Sequence, residues 1–173
     1  MQRICKSSAM LMIALLALPL LARAQAPAAD TILPAAAAAK VLPDAVFYAG
    51  QSANTQLRNA TGIHFADKSY TLAVLVDTSG YTSAVQQKYQ GYLITEVPLD
   101  FAGQHLNPGA YGFGFVKNQF LVMDIGNHDL LQTATMHDAG MHRPMPLQVL
   151  AAGSDGSWKL CAGRDCVSFH RAQ

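Results

Sequence analysis

Trp158-Lys159-Leu160-Cys161-Ala162-Gly163-Arg164-Asp165-Cys166-Val167-Ser168-Phe169 is the stretch that decides the fold. If Cys161 and Cys166 stand opposite each other in an antiparallel hairpin, Leu160 faces Val167 and Trp158 faces Phe169 on one side of the ribbon. Lys159 then faces Ser168 on the other side, together with the cysteines. One register sorts every side chain, and a slip of one residue would send each set to the wrong face. Trp158 and Phe169 become a cross-strand aromatic pair. In an oxidising compartment the two thiols are expected to form a disulfide, which for so short a loop adds about 2 kcal/mol in the chain-entropy picture. The competing readings are a redox-active pair or a thiolate metal site. C-x4-C is not the redox spacing, and two sulfurs alone do not complete a zinc site.

Further strands precede this hairpin. Leu147–Ala151 leads into it through the turn at 153–156. Tyr70–Val76 is apolar on both faces and therefore reads as a central strand. Ala45–Ala49 and Tyr92–Val97 are shorter strands, the latter ended by Pro98. Ala110–Val116 and Gln119–Ile125 flank Lys117-Asn118 as a hairpin. Residues 50–62 are polar and read as a long loop, Thr82–Tyr89 as one or two turns of helix capped by Ser79 or Thr82, and 126–145 as the least regular part. No internal repeat is present. Some eight short strands with turns between them predict a mainly β fold: an antiparallel β-sandwich or small β-barrel with one or two short helices and a C-terminal disulfide hairpin. Scarce charge agrees, since Glu96 is the only glutamate and long solvated helices need more.

The N-terminus predicts export. Arg3 and Lys6 precede an unbroken apolar run over 9–22, and Ala22-Arg23-Ala24 is a small-x-small cleavage site, so residues 1–24 read as a secretory signal peptide. The run is shorter than the ~20 residues of a membrane span, so no transmembrane anchor is expected after cleavage. Residues 25–43 are a leader or linker, in which Pro34–Leu42 is either a short helix or an Ala-rich tether, and residues 44–173 form a single β-rich domain. Cys5 leaves with the signal. So do three of the twelve basic residues, which leaves nine against eleven acids, a net charge of about −2. That balance, with no basic run, excludes nucleic acid as the expected partner. It likewise argues against an electrostatic hold on an anionic membrane.

Three places carry candidate chemistry. Val74-Leu75-Val76-Asp77-Thr78-Ser79-Gly80 follows an apolar strand with an Asp-Thr turn, and it resembles the active-site loop of retropepsin-like aspartic proteases. Val122-Met123-Asp124-Ile125-Gly126 loosely resembles the hydrophobic-hydrophobic-Gly element of that family. The resemblance covers about 15 residues and departs at Ser79, which stands between Thr78 and Gly80. It implies that Asp77 shares a proton with a second Asp, supplied by a dimer, to activate water. The alternative is that Asp77 and Ser79 end a strand and cap the helix after it. The second place is 123–145, which holds all four mature methionines and three of the six histidines. Thioether and imidazole suit copper, and Met136, His137, Met141 and His142 interleave as candidate metal ligands. The alternative is a polar loop whose methionines plug the edge of the core. The third is Gly109–Phe115, where Tyr111, Phe113 and Phe115 share one strand face and Gly112 and Gly114 the other. Glycine within a strand marks close approach by a backbone or a ligand. The bare face is therefore a packing contact or the floor of an apolar pocket, with Tyr111, Gly112, Phe113 and Gly114 as ligand-binding candidates.

No spacing marks a catalytic triad, and His64, His105 and His170 are isolated. With no complete catalytic constellation, the expected role is an exported, non-enzymatic binding or accessory domain. Its partner would be a small apolar ligand or an envelope protein, in the periplasm or outside the cell. Copper binding through 123–145 is the alternative and an aspartic hydrolase using Asp77 the third reading. Copper is the only cofactor that the sequence suggests.

Overall fold

The computed structural model describes residues 29–153 and 156–172. The signal-peptide reading of residues 1–24 lies outside the described residues. In chain order the elements are β1 (Thr31–Leu33), α1 (Ala35–Ala38), β2 (Ala45–Tyr48), β3 (Gln51–His64), β4 (Tyr70–Val76), α2 (Ser83–Gln86), β5 (Gly91–Thr95), β6 (Leu99–Phe101) and β7 (Gln104–Leu106). There follow β8 (Gly109–Val116), β9 (Gln119–Met123), β10 (Asp129–Ala134), β11 (Met136–His137), β12 (Met145–Ala151), β13 (Trp158–Gly163) and β14 (Asp165–Arg171). They form two antiparallel sheets in a sandwich-like arrangement. The large sheet runs β1-β3-β4-β5-β8-β9-β10 with β2 paired to β3. The small one runs β12-β13-β14-β6-β7 with β11 paired to β14.

The hairpin that closes the chain has the register expected from its sequence. Trp158 pairs with Phe169, Leu160 with Val167 and Cys161 with Cys166, and the two cysteines are disulfide-bonded with Cα atoms 4.0 Å apart. Gly163 turns the corner at φ +60°, the left-handed conformation that a two-residue hairpin loop needs at its first position. The Lys117-Asn118 turn joins β8 to β9 with both residues in that region, at φ 50° and 63°.

The large sheet is buried on both faces. Its inner face meets the small sheet through Phe113, Phe120, Val122 and Ala73, against Phe101, Trp158, Leu160 and Phe169. Its outer face lies under the β2–β3 hairpin, α1 and residues 77–90, packed through Leu72, Val74, Tyr48, Tyr81, Tyr89 and Tyr92. This two-sided burial is why Tyr70–Val76 is apolar throughout, as a central strand should be.

Three segments differ from the sequence reading. Residues 50–62 lie almost wholly in β3, a 14-residue strand. Its register against β4 shifts between Thr55 and Ala60, and there the side chains of Gln56 and Asn59 bond to Val76 O and to each other. Polar residues that fill a bulge read as loop. Residues 126–145 contain β10 and β11, which carry the chain from the large sheet to the small one. Residues 99–106 form a further hairpin, β6–β7, turned by Ala102 and Gly103. Pro34 precedes a short helix that buries Ala38 and leads to the buried Leu42. Neither expected cap of α2 is made: Thr82 occupies the N-cap position without a side-chain bond.

Candidate functional site

Of the two readings of the glycine face of β8, the structure realises close packing. A side chain at Gly112 would meet the Tyr48 ring, and one at Gly114 would meet the main-chain carbonyl of Lys88. Tyr48 lies over Gly112 and bonds its hydroxyl to Met123 Sδ and to Asn127 Oδ1 (2.9 Å). On the other face Phe113 is fully buried between the sheets and Tyr111 packs against the same core. The space over Gly112 and Gly114 is therefore filled by protein, and the expected pocket floor is replaced by Tyr48 and the 88–90 segment.

Asp77 sits exposed just past β4. Its N–H donates to Asn54 O, and its Oδ1 accepts the N–H of Ser79 at 3.0 Å. Those bonds from Ser79, main chain first, hold its carboxyl below the ordinary carboxylate range. Asp124, in the second resembling segment, closes a similar turn. It accepts N–H groups of Gly126 and His128, and they, led by His128, lower its pKa.

The methionines and histidines of 123–145 are dispersed. Met123 is buried in the outer core, and His128 pairs with Asp124 at 2.9 Å. Met136 lies across from Cys166 and His137 across from Asp165, so these neighbours start from opposite faces of the strand. His137 Nδ1 is 2.7 Å from Asp165 Oδ1, and Met141 Sδ accepts from Gln148 Nε2. His142 is exposed. Among the described residues no three His, Cys, Asp or Glu side chains are grouped to hold a metal.

The structure instead gathers residues that looked isolated in the sequence. β14 is covered on one edge by β13 from Asp165 to Phe169, but on the other by two separate strands. β11 pairs at Asp165 and Cys166, and β6 pairs at His170 and Arg171. Between them no strand among the described residues covers Val167–Phe169 on that edge. In an antiparallel ladder, closely spaced pairs that exchange no hydrogen bonds turn their main-chain groups away from each other. The 4.0 Å Cα separation of Cys161 and Cys166 marks such a pair. Ser168, two residues on, therefore directs its N–H and C=O into the gap. A cleft of about 370 Å³ opens there, with Ala102, Ala134, Met136 and Phe169 as apolar walls and Asp100, Ser168 and His170 as polar ones. A second cleft of about 290 Å³ adjoins it through Met136 and Cys166 and is walled by His137, Asp138 and Lys159.

Asp100, Ser168 and His170 share the outer face of the small sheet, since Asp100 pairs with His170 and Ser168 is two residues from it. No side-chain hydrogen bond links His170 to either of them; Asp100 Oδ1 instead accepts the N–H of Gly103 at 2.7 Å. A nucleophile and base in working order stand within about 3 Å of each other; here the three residues share the lining of one cleft. Sequence reasoning missed this cleft because its residues come from β6, β10, β11 and β14. Only the crossing of the chain from one sheet to the other makes them neighbours.

Comparison with protein-family models, curated proteins and solved structures gives no match in any of the three.

Proposed function

We propose that this chain is an exported, non-enzymatic binding module and that it takes a small, largely apolar ligand in the cleft beside Ser168. The observation that carries this reading is the uncovered edge of β14 between β11 and β6. A main-chain N–H and C=O of one residue, without a strand partner among the described residues and beside apolar walls, suit a ligand that presents a C=O and an N–H on one side, as a single residue between two amides does. The cleft volume lies at the low end of the range for small-molecule sites, roughly 300–1,000 Å³. Export is supported by the leader-like N-terminus and, weakly, by the Cys161–Cys166 disulfide.

The test is an amide NMR titration with N-acetyl-leucine N-methylamide. The reading expects shifts concentrated at Ser168, Ala134 and Met136, and their loss in Ala134→Trp, which fills the cleft from an exposed wall. Shifts spread evenly over the surface, or the same shifts in Ala134→Trp, would overturn it.

A further inference from the structure

We infer that the ligand of this furrow is a short, unblocked peptide held by its two charged ends, a conclusion that rests on the binding reading above. The two clefts join at Met136 and Cys166 and run along β14 from the level of His170 to that of Cys166. Four residues of strand are about 13 Å. One end carries Asp100, whose carboxylate has the Gly103 N–H as its only hydrogen-bond partner among the described residues. The other carries Lys159, which lines the second cleft together with Cys166 and Met136. Lys159 starts from the strand on the far side of β14, opposite Ser168, and shares the lining of the second cleft with Cys166. Neither Asp100 nor Lys159 belongs to an ion pair among the described residues. Asp138, on the wall facing Lys159, spends Oδ1 on the N–H of Gly140 at 3.1 Å.

An acidic group at one end, a basic group at the other, and an unpaired N–H and C=O between them define one chemistry. A terminal ammonium meets Asp100, the N–H and C=O of the middle residue meet Ser168, and a terminal carboxylate meets Lys159. Met136, Ala134 and the disulfide provide the apolar floor for the middle side chain. An extended tripeptide spans about 10 Å, and the reach of the two charged side chains closes the difference. Pairing the ends is a partly exposed electrostatic gain, so each should add a modest factor.

The experiment compares Ala-Leu-Ala with its N-acetylated and C-amidated forms by the same NMR titration. The free peptide should bind, and capping either end should weaken it about fivefold. Asp100→Asn, which keeps the acceptor for Gly103, should abolish the preference for a free amine and leave that for a free carboxylate. Lys159→Met should do the reverse. Equal binding of free and capped peptides overturns the inference. So does no peptide binding while N-acetyl-leucine N-methylamide still shifts Ser168, an outcome that leaves the parent reading standing. If neither probe shifts Ser168, both readings fall.

Discussion

The two cores on either side of the large sheet are built from different chemistry. Between the sheets the large rings are Phe and Trp. Phe101 lies against Phe120 and Phe169 with ring centroids 5.3 and 5.4 Å apart, and Phe65 meets Trp158 edge-on. On the outer side they are tyrosines: Tyr48 stacks on Tyr89 at 3.7 Å, and Tyr81 meets both edge-on. The inner core joins two sheets whose main-chain groups bond mainly within each sheet, with the Val149 N–H crossing to Thr61 Oγ1, so buried area carries most of the contact. The outer core must fix a hairpin and the irregular 77–90 segment, and it uses hydroxyls to do so. Tyr81 donates to Tyr48 O and Gln51 O, and Tyr92 to Phe47 O. A ring that brings its own donor can both fill space and anchor a backbone that lacks a ladder.

The largest effect should come from the inner core. Phe113→Ala removes a fully buried ring from contact with Phe115 and Phe120, and it should cost about 3–5 kcal/mol in denaturant unfolding. A loss under 1 kcal/mol would mean that the sheets do not depend on this packing. Next comes the seam with the outer layer. A methyl group at Gly114 would press on the Lys88 carbonyl, which is main chain. It would also disturb Gln90, which bonds both the N–H and, through its amide, the C=O of Phe115. Gly114→Ala should cost about 3 kcal/mol. Gly80→Ala, with open space around it, should stay within about 0.5 kcal/mol. Equal effects at the two glycines would remove the case for close packing over β8.

The same contrast explains what the sequence made legible. The disulfide hairpin and the β8–β9 hairpin are local. Alternation, turn residues and cysteine spacing all agree within a dozen residues, so even the register of Trp158 on Phe169 could be read. β3 was hidden because it leaves its ladder between Thr55 and Ala60, where the Gln56 amide bonds Val76 O and is itself held by the Asn59 amide. The candidate cleft was hidden for a different reason. Ser168 is marked by no motif, and what exposes its main chain is the spacing between β11 and β6, strands more than 30 residues apart in sequence. Of the methionines and histidines conspicuous in 123–145, Met123 stays with the large sheet and Met136 and His137 pair into the small one, because β10 and β11 lead the chain from one sheet to the other.

The smallest effects test whether hydroxyls or rings hold the outer core. Tyr48→Phe loses the bond to Asn127 and should cost about 1 kcal/mol. Tyr89 is also fully buried, yet its hydroxyl has no hydrogen-bond partner among the described residues. Tyr89→Phe should therefore be neutral or stabilising by up to about 1 kcal/mol. Burial, more than neighbouring charges, pushes the hydroxyls of both residues well above the ordinary tyrosine value. The unfolded chain then releases these protons first as pH rises past 10, so the contribution of these two hydroxyls to native stability should be constant below that pH and fall above it. Tyr89→Phe should make the alkaline fall shallower, because one such proton is gone from both states. An urea midpoint that drops on Tyr89→Phe at neutral pH, with an unchanged alkaline slope, would show that this hydroxyl anchors backbone as its neighbours do.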